Sequence, residues 1–178
     1  MAYFDRDVGV LIDEATLRAR IRQLGEELTR AYEGKELTLV SVLKGSVFFV
    51  TDLARAIDLP LTVEFLGVSS YQGGTETTGE VRITSDVTKP MAGKHLLVVE
   101  DIIDTGLTMQ FLLENLHARH PASLKVCTLL EKPSRARAKV PIDYKGFVID
   151  DVFVVGYGLD YAERYRNVPF IGVMKGGA

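Results

Sequence analysis

VVEDIIDTGLT, residues 98–108, is the stretch from which the fold of this chain can be read. It continues the apolar run HLLVVE (95–100), which has the character of a buried strand, and ends at the start of a helical pattern, LTMQFLLENLHARH (107–120). An apolar run that feeds through a glycine-bearing turn into a helix is the joint expected of a parallel sheet. The side chains in that joint are unusual. Gly106 permits a tight turn, Thr105 and Thr108 offer hydroxyls, and the free amides of a first helical turn attract a phosphate. Glu100, Asp101 and Asp104 would repel a bare phosphate, but they can accept hydrogen bonds from sugar hydroxyls and share a magnesium ion. The ligand this string calls for is a sugar phosphate. Taken as isolated residues, Asp104 or Thr105 would only cap the helix, with Glu100 and Asp101 a solvated strand end; the whole string favours the ligand.

Outward from this joint, strands and helices alternate. Leu17, Ile21, Leu24 and Leu28 fall at helical spacing between Asp13 and Tyr32, with Gly34 placed to end the helix. LTLVSVL (37–43) reads as a strand, KGS as a tight connection, SVFFVTDLARAI (46–57) as a helix, and LTVEFLGV (61–68) as a second strand after Pro60. SSYQGGTETTGE (69–80) is polar and too long for a hairpin turn, so it is either a surface loop or a closing lid. SLKVCTLL (123–130) is a further strand, and the last third holds short apolar runs broken by glycine and charged turns. The pattern predicts an α/β fold with a mostly parallel sheet covered on both faces, whose ligands bind at the carboxyl ends of the strands.

Composition narrows the choices. A chain of 178 residues with 47% hydrophobic content suits one compact domain over residues 1–178. A formal charge of −3 and the lack of a local basic patch argue against a nucleic-acid or anionic-membrane partner. The single Cys127 sits in the apolar run VCTLL, where a small core residue is the expected role, and it closes no internal disulfide. The N-terminal MAYFDRDVGV lacks a secretory pattern, and no run reaches the ~20 apolar residues of a membrane span, so a cytoplasmic location is expected. His117 and His120 lie near a helix C-terminus, where the helix dipole accounts for them without a metal.

VVEDIIDTGLT resembles the phosphoribosyl-diphosphate signature of the type I phosphoribosyltransferases. With LKGS (43–46), KPSR (132–135) and FVVGYGLDYAERYR (153–166), the chain is similar to the hypoxanthine or hypoxanthine-guanine branch from about residue 37 to residue 173. Leu107 departs from the pattern, because lysine occurs there in relatives, and a charge contact from that position is missing. The resemblance implies the type I phosphoribosyltransferase fold: a central mostly parallel sheet flanked by helices, a small hood from the N- and C-terminal segments, and a flexible lid at about 69–80. It implies purine salvage, in which the 5-phosphoribosyl group passes from phosphoribosyl diphosphate to hypoxanthine, guanine or both, giving IMP or GMP and diphosphate. Mg2+ is the implied cofactor, and a homodimer or homotetramer the implied assembly.

The resemblance also carries roles onto single residues. Glu100 and Asp101 bind the ribose hydroxyls and the metal, while Asp104, Thr105, Gly106, Leu107 and Thr108 form the cradle of the 5′-phosphate. Asp104 is the catalytic choice, a carboxylate beside purine N7 that takes its proton. Leu43, Lys44 and Gly45 match the diphosphate loop, whose Leu43–Lys44 peptide is often cis in the family, and Arg166 matches a second diphosphate contact. Lys132 matches the donor to the 6-oxo group, Phe153 the aromatic that stacks on the purine, and Val154 and Leu159 the main chains at its far edge. Asp160 corresponds to a further magnesium ligand reached through waters. Ser70 and Tyr71 occupy the positions of the lid that close over the reacting atoms. Tyr157, Tyr161 and Tyr165 are assigned to packing.

Two other readings are distinguishable. A xanthine-guanine or pyrimidine phosphoribosyltransferase would differ in its base preference. A regulator that senses phosphoribosyl diphosphate and binds nucleic acid would need a basic surface or an added DNA-binding segment, and the first 36 residues are too few for a winged helix.

Overall fold

In the computed structural model, which describes residues 8–70 and 81–175, strand β5 (His95–Ile103) runs through the middle of the molecule with both faces covered. Leu97 and Val99 pack into one cluster with Leu24, Leu28, Leu39, Phe49 and Leu53; Leu96 and Val98 pack into another with Val40, Val42, Met109, Leu112 and Leu116. The two-residue period of the strand deals its apolar residues alternately to the two cores. That is why the run HLLVVE carries no polar alternation.

The other strands of this sheet are β2 (Leu37–Leu43), β3 (Leu61–Ser70), β4 (Val81–Ser85), β6 (Ser123–Glu131) and β7 (Tyr144–Val148). Their order is β4-β3-β2-β5-β6-β7, and every pairing is parallel except β3 with β4. Helices α1 (Glu14–Ala31) and α2 (Val47–Ala56) supply the first core cluster, and α3 (Leu107–His117) supplies the second. A small antiparallel sheet, ordered β1-β9-β8, joins β1 (Val8–Ile12) to β8 (Val154–Val155) and β9 (Ile171–Met174). Val154, Tyr157, Leu159 and Ile171 belong to the same core cluster as α1 and α2, so the C-terminal segment is welded to the main sheet.

Local chemistry sets the element ends. Asp13 caps α1 by accepting from Thr16 N at 2.8 Å, and the chain leaves the helix through Gly34 at φ +71°. The expected strand 37–43 coincides with β2, and the helix expected over 46–57 has Ser46 and Ile57 as its caps. Strand β5, expected to end at the acidic pair, continues to Ile103, because Ile102 and Ile103 keep pairing with Leu130 and Glu131 of β6. Helix α3 stops at His117 rather than His120, where His120 turns to φ +55° and its carbonyl accepts from Gly93 N at 3.0 Å. Strand β3 extends to Ser70, so the polar segment begins later than expected, and Tyr71 lies outside the described residues. β1 has no counterpart in the sequence reading: VGVLI is too short to signal a strand without its partner β9. Cys127 is fully buried, and burial pushes its thiol far up from the usual range, as suits a core residue. Among the described residues no helix is long and apolar enough to cross a membrane, and no group of three or more His, Cys, Asp or Glu could hold a metal ion by itself.

The two helices on the first face approach closely at one point. A Cβ on Gly25 of α1 would stand 2.4 Å from the carbonyl oxygen of Ala56 at the end of α2. Gly25→Ala is expected to destabilise the fold by about 1 to 3 kcal/mol despite alanine's better helix propensity, because the helices must separate. Urea unfolding checks this; equal or greater stability in the variant would mean that the crossing relaxes freely.

Candidate active site

The chain runs from β2 outward to β3, then returns to place β5 on the other side of β2, so the order of the sheet reverses between β2 and β5. At such a reversal the connections leave in opposite directions and open a crevice at the carboxyl ends of the strands. Here the crevice is lined by Gly45, just beyond β2, and by Asp101 in the last turns of β5. A Cβ on Gly45 would sit 1.7 Å from Asp101 Oδ2, so only glycine lets the carboxylate rest against the backbone. The Leu43–Lys44 peptide just before it is cis. On its other side Gly45 meets the C-terminal segment: a Cβ on Gly158, which is at φ +104°, would lie 1.9 Å from the Gly45 carbonyl oxygen.

Glu100 is 9% exposed at the floor of the crevice. Burial, then repulsion by Asp101, pushes its carboxyl well above the usual range, and burial also raises Asp101. Beyond them the chain turns through Asp104, Thr105 and Gly106 into α3, around a recess of about 100 Å3 lined by Glu100, Asp104, Thr105, Gly106 and Thr108. Gly106 is the N-cap at φ +80°, a conformation that leaves the first-turn amides unobstructed by a side chain. The turn is held from behind, since Thr105 O accepts from Arg137 N at 2.9 Å and from Ala138 N at 3.0 Å. Leu107 opens the helix as a partly exposed apolar side chain.

Cations surround this acidic floor, each tied to an acid. Lys132, at the end of β6, is 7% exposed, with Nζ 3.8 Å from Asp151 Oδ1. Taken alone it reads as an exposed strand-end cation, yet the fold turns it inward, with its amide bonded to Ile103 O at 3.0 Å. Arg135 donates to Asp104 Oδ1 at 3.1 Å and stands 3.6 Å from Asp151. Arg166 pairs with Asp160 at 2.8 Å and donates to Gly158 O at 2.8 Å, while Lys44 pairs with Glu163 at 3.1 Å. Phe153 is 45% exposed, with the edge of Tyr161 against it at 5.7 Å between ring centres, which leaves an aromatic surface open to a ligand. Val154 and Leu159 are buried.

The fold therefore gathers Leu43, Lys44, Gly45, Glu100, Asp101, 104–108, Lys132 and the 153–166 segment at one end of the sheet. The packing assignment fits Tyr157, which is buried; Tyr161 packs its edge on Phe153 while remaining 47% exposed, and Tyr165 is half-buried. Arg135, Asp151 and Glu163 were given no role from sequence. The KPSR motif was the available signal for Arg135, but its pairing with Asp104 depends on two connections that only the folded sheet brings side by side.

The phosphoribosyl transferase domain model matches residues 12–162. The hypoxanthine phosphoribosyltransferase of Haemophilus influenzae is 49% identical over 93% of this chain and 94% of its own length. The hypoxanthine-guanine phosphoribosyltransferase of Mycobacterium avium is 51% identical over 93% of this chain and 84% of its own. A crystal structure of a hypoxanthine phosphoribosyltransferase from Staphylococcus aureus superposes with a TM-score of 0.94 at 45% identity, covering 98% of this chain and 95% of that one. The chain belongs to the phosphoribosyl transferase domain family and has the type I fold. Within that family it is an enzyme of the hypoxanthine phosphoribosyltransferase type.

The buried acid has a measurable consequence for stability. In the metal-free fold the Glu100 carboxyl is raised above its unfolded value, so the folded state holds a proton that the unfolded chain releases. Its stabilising contribution is complete below the unfolded value and is lost as pH rises toward the folded one. Chelator-treated protein is expected to lose thermal stability from pH 5 to pH 8, and Glu100→Gln, which stays neutral, to lose less. Parallel Tm profiles for the two proteins would contradict this.

Proposed function

We propose that this enzyme transfers the 5-phosphoribosyl group from phosphoribosyl diphosphate to a ring nitrogen of hypoxanthine, guanine or both, forming IMP or GMP and diphosphate. One observation carries the reading: an acidic pair of buried Glu100 and half-buried Asp101, an amide-lined helix start and a glycine loop meet at the topological reversal of the sheet. A sugar bearing a phosphate at one end and a diphosphate at the other needs all three. Glu100 and Asp101 take the ribose hydroxyls, 104–108 cradle the 5′-phosphate, and the amides around Lys44 and Gly45, with Arg166, hold the diphosphate.

The bond between C1 and the diphosphate breaks through a cation-like sugar, so the enzyme must steady positive charge, retain the leaving group and remove a proton from the base. Carboxylates below the ribose serve the first need and the diphosphate loop the second. Asp104 serves the third, accepting the proton from purine N7, with Arg135 orienting its carboxylate. Phe153 stacks on the purine, the main chains of Val154 and Leu159 meet its far edge, and Lys132 donates to the 6-oxo group. The near-complete burial of the Lys132 side chain supports that assignment, since such an ammonium has few partners besides a ligand. The sheet β1-β9-β8 acts as a hood, and residues 69–80, with Ser70 and Tyr71, as a lid that excludes water.

Mg2+ fits the donor set. Two adjacent carboxylates with hard oxygen donors lie in a buried setting that raises both toward neutrality, which a cation would offset. No protein cage of three ligands is present among the described residues, as suits an ion that keeps several waters and shares its substrate's oxygens. Glu100 and Asp101 would hold it, with Asp160 reaching it through water. When bound, it would draw charge from the diphosphate leaving group. Cytoplasmic location and a homodimer or homotetramer accompany this reading.

The deciding experiment is a magnesium-dependent assay of nucleotide formation across hypoxanthine, guanine, xanthine, uracil and adenine. Hypoxanthine or guanine should be used, and adenine poorly, because its 6-amino hydrogens face the Lys132 ammonium. Adenine turned over at the rate of hypoxanthine would refute the recognition role of Lys132. Asp104→Asn is expected to lower turnover by about 10² to 10⁴ while leaving donor affinity largely intact. Near-normal turnover would take the general base away from Asp104.

A further inference from the structure

We propose that Asp52 and Tyr157 form a positioning pair for this reaction, through which α2 fixes the turn at 156–159 that joins the purine side of the site to the diphosphate side. The proposal deepens the functional reading above and rests on it for the identity of the substrates. Asp52 has no place in the site itself, since it lies on the outer part of α2, where its Oδ1 faces Arg55 at 3.8 Å. Its other oxygen, Oδ2, accepts from the Tyr157 hydroxyl at 2.6 Å. A charged acceptor makes this bond stronger than a neutral one.

Tyr157 needs such an anchor. It is a non-glycine residue at φ +48°, a left-handed conformation that is strained for an L-residue and that its surroundings must hold. The residue is 7% exposed, and the ring of Phe48, one turn before Asp52 on α2, lies 6.4 Å from its ring centre to centre. Burial and the Asp52 carboxylate both raise the phenol far above its usual range, so the hydroxyl remains a donor at any working pH.

The turn itself is tightly closed: Gly156 N and Leu159 N bond each other's carbonyls at 3.0 Å, and Gly158 N bonds Arg166 O at 2.9 Å. Gly158 then packs on the Gly45 carbonyl, and Ser46, the N-cap of α2, follows Gly45 directly. One helix therefore grips the turn twice, by its own leading loop and by Asp52. Cutting the second grip leaves the turn held by its backbone bonds and by Gly45 alone, which loosens the setting of Leu159, a proposed purine contact, relative to the diphosphate loop. It exposes no uncompensated buried charge, because the Asp52 side chain is 39% exposed.

The experiment compares Tyr157→Phe, Asp52→Ala and Asp52→Asn with the wild-type enzyme in steady-state kinetics and in amide hydrogen exchange. Tyr157→Phe and Asp52→Ala should raise KM for the base about fivefold to tenfold with kcat changed less than about twofold. Asp52→Asn, which retains a carbonyl acceptor for the hydroxyl, should recover most of the loss. Exchange of the amides at 156–159, which requires no substrate, should quicken about tenfold or more in the first two variants. Unchanged exchange in Tyr157→Phe overturns the pair whatever the kinetics, as does a lowered Tm with KM for the base intact. Faster exchange in an enzyme whose wild-type form makes no purine nucleotide would instead leave the tether standing and remove the functional reading.

Discussion

The carboxylate of Asp101 lies where any side chain at position 45 would have to go, and the backbone of Gly158 lies against the other side of the same glycine. Three segments separated by most of the chain are thus stacked as carboxylate, peptide and peptide, with no side chain between them. Two glycines make the stack possible, and the order of the sheet makes it necessary, since β2 and β5 are neighbours whose outgoing connections diverge. Burying an acid such as Glu100 beside Asp101 opposes folding, and the double-faced core of β5 must offset that cost. The site is therefore a destabilised feature carried by a strong scaffold.

Electrostatically, the ligand crevice is already neutralised by the protein. Lys44 leans on Glu163, Arg166 on Asp160, Arg135 on Asp104, and Lys132 on Asp151. On the proposed reading, a phosphate-bearing substrate exchanges these partners rather than meeting bare charges. Most of the pairs are solvated and therefore weak, so a phosphate can displace the acids at little cost. Lys132 is the exception. Its ammonium is withdrawn from solvent with one distant partner, and on the proposed reading a ligand carbonyl would give it a hydrogen bond.

The sequence makes the central sheet legible because its signals are local. Period and length identify β2, α1 and α2, and a glycine, two threonines and three acids at fixed spacing identify the turn into α3. What stays hidden depends on partners distant in the chain. β1 exists because β9 pairs with it, and Lys132 is buried because the connection after β6 folds against Ile103. The continuation of β5 past its acids follows from pairing with β6, which overrides the reluctance of acidic residues to enter a strand. Tyr157 looks like any aromatic in an apolar run, and only its left-handed backbone and its bond to Asp52 set it apart.

On the proposed reading, Leu107 bears on how a phosphate is held at the start of α3. With leucine in the first turn, no cationic side chain from this helix start faces the recess. Retention of the proposed 5′-phosphate there would then come from the amides following Gly106, the two threonine hydroxyls and the helix dipole. Amides are useful donors only when their direction is fixed, and the fixing is visible behind the turn: the amides of Arg137 and Ala138 both bond Thr105 O, and a Cβ on Gly106 would stand only 2.8 Å from Ala138 O. The connection after β6 thus performs two tasks with one stretch of chain. Its beginning turns Lys132 into the crevice, and its middle braces the loop proposed to hold the 5′-phosphate.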